Sequence, residues 1–265
     1  MYTISNSAYF DDTNNDDAKG SHFVENWLGL TDRRVLIAGA GGIGEACAAA
    51  FTEAGARVVV ADIDESRLTA HENGLTAEFS TAEGCENAVQ ATVEVLGGID
   101  ILLHAVGMNQ RVPVLDTADE DWQRTLDINL SSAFRLGKSA GKHMVSAGWG
   151  RQIYCSSVSG LLAHPDHASY AASKGGINQM MRVMAREWAS SGVTVNAIAP
   201  GYTETDLTRT HLDKPGVREH YTSLVPAGRL GSVDDLTGPV LFLASEQASF
   251  VTGHVLYVDG GRTLV

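Results

Sequence analysis

Two side chains four positions apart invite a chemical reading first: Tyr170 and Lys174, in the run Tyr170-Ala171-Ala172-Ser173-Lys174. On a helix that spacing sets both on one face. A free phenol, with a pKa of ~10, holds its proton too tightly to act as a base at neutral pH. An ammonium about 4 Å away, at an effective dielectric of ~20, favours the phenolate by roughly 4 kcal/mol. That is worth up to ~3 pKa units before screening and desolvation reduce it. A tyrosine tuned in this way takes the proton of an alcohol while hydride leaves the same carbon, and returns it in the reverse direction. Alone, the pair is common and mostly surface structure, so it needs company.

The company for a hydride acceptor lies near the start of the chain. Gly39-Ala40-Gly41-Gly42-Ile43-Gly44 follows a β-branched run and precedes a helical pattern, which is the setting that gives G-x-G-x-x-G its meaning. The glycines allow a tight turn and close approach of a pyrophosphate, and the free N–H groups of the helix start bind its charge. The next apolar run ends at Asp62, 23 residues after Gly39. A carboxylate there accepts both adenosine ribose hydroxyls and repels a 2′-phosphate, and no Arg or Lys lies in the loop or directly after Asp62, so NAD is expected rather than NADP. The alternatives are a plain tight turn and a solvated strand-end carboxylate.

The elements that must position these groups alternate from Arg34 onward. Strands are expected at Val35–Ala38, Arg57–Ala61, Ile99–His104, Gln152–Ser156, Val193–Ile198 and Val255–Val258. Helices are expected at Ile43–Ala54, Glu83–Leu96, Glu120–Ala147, Ala168–Ser191 and Val233–Ala244, with a short one around Glu65–His71. Continuous apolar strands separated by helices predict an α/β fold, a doubly wound parallel sheet of the Rossmann type, with ligands at the carboxyl ends of the strands. The 265 residues suit a single domain, expected over 31–265. Residues 1–30, with the polar run Asp11–Asp17, read as a flexible arm that Tyr9, Phe10, Phe23 and Trp27 could anchor. Residues 206–225 break the rhythm after a strand and read as a substrate lid.

Composition removes several function classes. The net charge of −13 repels phosphate backbones, so nucleic-acid partners are not expected. No apolar run reaches the ~18–20 residues of a membrane span, and neither a secretory nor a transit pattern opens the chain. The three cysteines, Cys47, Cys85 and Cys155, and the nine histidines show no metal-ligand spacing. A soluble cytoplasmic protein with reduced core thiols and no metal is the expectation.

From about Leu30 onward the chain resembles the short-chain dehydrogenase/reductase family. Ser156-Ser157 matches the family's serine, thirteen residues before the tyrosine, and Asn129 in Asp127-Ile128-Asn129-Leu130 matches its helical asparagine. Pro200-Gly201-Tyr202-Thr203-Glu204-Thr205 is similar to the segment that meets the nicotinamide carboxamide, while Pro226-Ala227-Gly228-Arg229 and Val258-Asp259-Gly260-Gly261 are similar to its closing motifs. The resemblance implies that Tyr170 is the acid/base and that Lys174 lowers its pKa and holds the nicotinamide ribose. It implies that Ser157 hydrogen-bonds the substrate oxygen, and that Asn129 holds a water linking Lys174 to solvent. A helix-pinning role for Asn129 and a strand-end cap for Ser157 stay open beside these. The implied cofactor contacts are Gly39, Gly41, Gly42, Ile43, Gly44, Asp62, Ala105, Gly107, Tyr170, Lys174, Pro200, Gly201, Thr203 and Thr205.

Three departures accompany the match. The glycine loop is one residue shorter than the family's, with Ala38 in place of its threonine. His104-Ala105-Val106-Gly107 replaces N-N-A-G, with His104 read as structural. Glu78 stands where an aspartate recognises adenine.

Within the family, Gly107-Met108-Asn109-Gln110-Arg111 and Ala199-Pro200-Gly201-Tyr202 resemble segments of sugar-acid and polyol dehydrogenases. Asn109, Gln110, Arg111, Ser157, His164, His167 and Glu204 are the candidate substrate contacts, with Arg111 as a carboxylate or hydroxyl clamp. Taken singly, each reads better as a solvated loop residue. Two rivals share the motifs: a reductase of 3-oxoacyl thioesters or other ketones, and a non-catalytic NAD-sensing protein. Finally, the helices at 120–147 and 168–191 carry apolar residues beyond one stripe, including Met180, Met181, Met184 and Trp188, and imply a homodimer or, preferred here, a homotetramer closed by Val255–Val265.

Overall fold

The computed structural model describes residues 27–265. Seven parallel strands form one sheet: β1 (Arg34–Ala38), β2 (Arg57–Asp62), β3 (Gly74–Thr76), β4 (Ile101–His104), β5 (Gly150–Cys155), β6 (Val193–Pro200) and β7 (Val255–Val258). Their spatial order is β3-β2-β1-β4-β5-β6-β7. The order reverses between β1 and β4, which pair with Val35 opposite Ile101 and Ala38 opposite His104. A crevice opens beyond the carboxyl ends of the strands at such a reversal. The six strands expected from the sequence are all present, each within two residues at either end, and β3 is an addition.

Alternation along β1 shows why both faces are covered. Leu36 and Ala38 belong to one apolar cluster, Val35 and Ile37 to the other. The first cluster takes Cys85 and Val89 of α2 (Ala82–Leu96), Leu136 and Met144 of α4 (Ser132–Ala147), and Ile177 and Met181 of α5 (Ala168–Trp188). The second takes Cys47 and Phe51 of α1 (Gly42–Glu53) and Leu236 and Val240 of α8 (Asp234–Ala244). Burying each such side chain contributes roughly 1.5–3 kcal/mol, so these two clusters are what fixes the strand ends in space.

The structure amends several expectations. The helix expected over 120–147 is three pieces: α3 (Asp119–Leu126), a π-helical turn over Asp127–Ser131, and α4. In that turn the Ser132 amide donates to the carbonyl of Asp127, five residues back. The helix expected around Glu65–His71 is a single 3-10 turn, Glu65–Arg67. The region read as a lid folds as two short helices, α6 (Asp206–Leu212) and α7 (Val217–Ser223), turned by Gly216 at φ +75°.

Residues 1–26 of the expected arm, with Tyr9, Phe10 and Phe23, lie outside the described residues. Leu30 is fully packed in the second cluster, and the carbonyl of half-exposed Trp27 accepts from Gln247. Met181 and Met184 face the sheet, while Met180 and Trp188 pack against the same cluster. These four therefore do not form an outer apolar patch. On the helices in question the large exposed apolar side chains are Trp122, Phe134 and Val183.

Candidate active site

Two cavities open at the carboxyl ends of the strands. The first, about 560 Å³, is lined by Gly39, Gly41, Gly42 and Ile43, by Asp62, by Ala105 and Gly107, and by Thr205. Gly39 sits at φ +99°, and a Cβ there would meet the Ala105 backbone at 2.9 Å. Gly44 does not line the cavity; a Cβ on it would stand 1.8 Å from the Gly39 carbonyl, so its glycine lets α1 start directly against the loop. Gly41 caps α1 without a side-chain hydrogen bond, leaving the first amides of the helix, which have no partner within it, for an anion.

Asp62 braces this loop. Its Oδ2 accepts from the Ala40 amide at 2.7 Å and its Oδ1 from the Asp64 amide at 2.9 Å. Each oxygen keeps a lone pair for a ribose hydroxyl. Arg67 escaped the sequence reading. It reaches back from the 3-10 turn to the Ala40 carbonyl at 3.5 Å and lines the same cavity as Asp62. Only the turn after β2 brings it there. Phe79 lines the cavity too, whereas Glu78 is exposed and caps the Ser80 amide at 2.7 Å.

The second cavity, about 620 Å³, is lined by five of the seven residues expected at the substrate, Asn109, Arg111, Ser157, His164 and His167, together with Tyr170. Ser157 follows β5, and Tyr170 lies in the first turn of α5. Arg111 donates to the Tyr221 hydroxyl at 3.0 Å. His164 is held on both sides, by Ser159 Oγ at 3.1 Å and the Tyr202 hydroxyl at 3.2 Å, and burial lowers its pKa. His167 uses Nδ1 on the Pro165 carbonyl at 2.6 Å.

Gly201 and Thr203 line this cavity rather than the first, and Pro200 lines neither. Gln110 turns to Asp121 at 3.3 Å, and Glu204 is paired with Arg218. Helices α6 and α7 and the turn between them supply a wall through His211, Tyr221 and Lys214, and Arg262 closes it from the C-terminal turn. The sequence carries no local signal for these last four.

Lys174 lies at the seam of the two cavities. Its Nζ donates to the Cys155 carbonyl at 2.7 Å, stands 5.5 Å from the Tyr170 ring centroid, and would be 3.5 Å from a Cβ on Gly107. Burial brings its pKa down to about 8, so it keeps its proton at neutral pH. The electrostatic expectation for Tyr170 needs correction. Burial holds the phenol above its ordinary value, and the opposing pull comes from the Ser157 hydroxyl and the Arg111 charge rather than from Lys174.

Asn129 is buried in the π-helical turn. Its Oδ1 accepts from the Met108 amide at 2.8 Å, and its Nδ2 donates to the Met108 carbonyl and Ser173 Oγ, each at 3.0 Å. The side chain thus ties the loop after β4 to α5. His104 is structural as expected: Nε2 meets Ser132 Oγ at 2.8 Å, and burial, aided by the Lys174 charge, lowers its pKa to about 3.

The cysteines are all free and buried. Among the described residues no group of metal-ligating side chains is present, and no helix is long and apolar enough to cross a membrane.

Comparison with known proteins agrees with this geometry. Residues 37–263 match the family described as Enoyl-(Acyl carrier protein) reductase. The 3-oxoacyl-(acyl-carrier-protein) reductase FabG of Vibrio cholerae is 35% identical, over 90% of this chain and 100% of its own. The galactitol 2-dehydrogenase (L-tagatose-forming) of Cereibacter sphaeroides is 36% identical, over 86% of this chain and 94% of its own. Among solved structures, a gluconate 5-dehydrogenase from Burkholderia cenocepacia J2315, in complex with NADP and tartrate, superposes with a TM-score of 0.87 at 34% identity, covering 91% of this chain and 99% of that one.

Proposed function

The chain belongs to the short-chain dehydrogenase/reductase family, and from that premise we propose that it moves a hydride between NAD and a secondary alcohol or ketone of a polyol, sugar or sugar acid, in carbohydrate metabolism. The observation that carries the reading is the seam. Tyr170 and Ser157 line one cavity, while Lys174, one helical turn on, lies against Gly107 of the other.

The residues of the first cavity fit a dinucleotide. Amides of the α1 start would hold a pyrophosphate and Asp62 an adenosine ribose, with Ala105, Gly107 and Thr205 lining the same cavity. A nicotinamide held there would supply the hydride-transfer chemistry. Tyr170 takes the proton of the substrate hydroxyl, or gives it back. Ser157 donates to the same oxygen and stabilises the charge that grows on it. Lys174, fixed by the Cys155 carbonyl, has its ammonium 5.5 Å from the Tyr170 ring and would hold the nicotinamide ribose. Asn129 holds the loop carrying Gly107 and Met108 in register with α5, and a relay water beside Lys174 is part of the same reading.

NAD is preferred on the strength of Asp62, and Arg67 is the group through which a 2′-phosphate would be admitted. Reduction of a 3-oxoacyl thioester uses the same four residues; the polar lining of the second cavity favours the polyhydroxylated class instead. We assign the protein to the cytoplasm, in keeping with its free buried thiols. It is read as a homotetramer, with Trp122, Phe134 and Val183 offering one face and Leu264 and Val265 another. Light scattering that returns a 28.1 kDa monomer with full activity would remove the assembly. The function is tested by a panel of polyols, aldonates, keto-sugars and a 3-oxoacyl thioester with NAD and NADP, followed by absorbance of the reduced nicotinamide. Turnover of a polyhydroxylated substrate with NAD is expected; activity with the thioester alone would overturn the reading.

A further inference from the structure

The protein carries a net charge of −13, yet its second cavity has the opposite sign. Arg111, Lys214 and Arg262 line it, and Asp166 is the one carboxylate among its lining residues. The two guanidinium groups are joined by aromatic rings. Arg111 donates to the Tyr221 hydroxyl at 3.0 Å, the Tyr221 ring lies 4.3 Å from that of Tyr202, and the Arg262 guanidinium carbon stands 5.8 Å from the Tyr202 centroid. Hydrogen bonding fixes Arg262 further, since its Nη1 donates to the Val265 carbonyl at 2.8 Å. Its Nε is buried and has no partner, and Asn109 Oδ1 is a buried acceptor in the same condition. Buried polar groups are nearly always paired, so a donor fixed in place with nothing to bind marks where an acceptor belongs.

We propose that Arg262, acting with Arg111, seats the carboxylate of the substrate, so that the enzyme acts on polyhydroxy acids in preference to the neutral polyols of the same carbon skeleton. This rests on the oxidoreductase reading above and narrows it. A carboxylate matches the planar fork of a guanidinium, with two parallel N–H···O bonds, where a hydroxyl satisfies only one. Asn109 Oδ1 then accepts from a hydroxyl along the chain of the acid. His164 adds no competing charge: burial keeps it neutral, and the charges of His167, Arg262 and Arg111 reinforce that. An acyl thioester would lay an apolar chain against the same donors and leave Arg262 Nε unpaired. The stretch that supplies Arg262 is the last turn of the chain, Arg262–Leu264, remote in sequence from every catalytic residue.

The test compares carbon-matched pairs with the intact protein and saturating cofactor: D-gluconate against D-glucitol, and D-galactonate against galactitol. The acid of each pair is expected to show a kcat/KM about tenfold or more above its alditol. Arg262→Gln is expected to raise KM for the acid about tenfold with little change in kcat, and to raise KM for the alditol by much less. Arg262→Lys should recover part of the loss, since a point charge remains while the fork is gone. Arg111→Gln, on a separate loop, should repeat the KM shift, which guards against a local folding defect in the first variant. Equal use of acid and alditol, or an Arg262→Gln effect alike on both, overturns the carboxylate seat and leaves the broader reading standing. A preference for 6-phosphogluconate over both acids overturns it as well, by assigning the donors to a phosphate. Failure of acids and alditols together, with a thioester reduced, removes the polyhydroxylated reading and this proposal with it.

Discussion

The glycine-loop cavity and the substrate cavity lie on either side of one lysine, yet they are made of different material. The first is backbone: a turn of glycines, the first amides of α1, and a carboxylate braced by the amides of Ala40 and Asp64. The second is side chain: histidines, tyrosines and arginines brought from the loop after β4, the turn after β5, helices α6 and α7, and the final turn. The backbone part of that site serves what every dinucleotide has in common, and Asp62 and Arg67 add the choice between NAD and NADP. A site of side chains on exposed helices can change what it recognises without disturbing the sheet. General cofactor binding and particular substrate choice are therefore separable, and three perturbations test that separation.

The largest effect is expected at the seam. Tyr170→Phe keeps the ring and removes the proton donor, and should lower kcat by about 10²–10⁴ while leaving NADH affinity within a few fold. Fluorescence titration of NADH beside single-turnover rates reads both quantities. Retention of more than about a tenth of the turnover would mean that the proton travels by another group.

His104 is buried at the end of β4 against Ser132 and Tyr154, and its effect falls on stability. Its folded pKa of about 3 lies below the ordinary 6.5. A lowered histidine pKa means the unfolded chain binds the proton that the native protein refuses. The contribution is therefore complete above pH 6.5 and is lost as the pH falls from 6.5 toward 3. At roughly 1.4 kcal/mol per unit, the full loss is on the order of 5 kcal/mol. Urea unfolding of wild type and His104→Asn between pH 7 and about 4 measures it. The variant should show a visibly shallower acid slope, and parallel slopes would show that other groups cause the decline.

Asp62→Ala is the smallest of the three and the most selective. Losing the ribose acceptor and its repulsion of a 2′-phosphate should shift the ratio of kcat/KM for NAD over NADP by about tenfold toward NADP, with Arg67 left to receive the phosphate. Measured with a single alcohol, kcat at saturation should barely move. A fall in kcat as large as that of Tyr170→Phe would mean that the two cavities are one cooperative unit.

The same contrast explains what could be read without a structure. The strands and the glycine loop were legible because their signals are local: apolar runs between polar turns, and glycines at fixed offsets before a helix. Ser157, Tyr170 and Lys174 were legible through their spacing in one stretch of chain and their family likeness. Arg67, Tyr221 and Arg262 were not, because only the folded sheet places them beside residues tens to hundreds of positions away.

The methionines of α5 misled for another reason. Met181 and Met184 continue the spacing of Ile177 and Ala185 along one buried stripe, and richness in apolar residues does not say which face carries them. The fall of Tyr170's expected acidity has a similar root, since the penalty of burying a phenolate depends on a pocket the sequence does not draw.

The π-helical turn at Asp127–Ser131 has a consequence for how this helix tolerates change in length. Each residue advances an α-helix by about 100°. A turn with its hydrogen bond five residues back amounts to one residue more than the regular ladder needs, held where Asn129 reaches Met108 and Ser173. Deleting a single residue here would make a straighter, better-bonded rod. It would also swing everything on α3 through about a quarter of a revolution relative to α4, carrying Asp121, the partner of Gln110, off its bearing. The more regular helix would be the poorer enzyme.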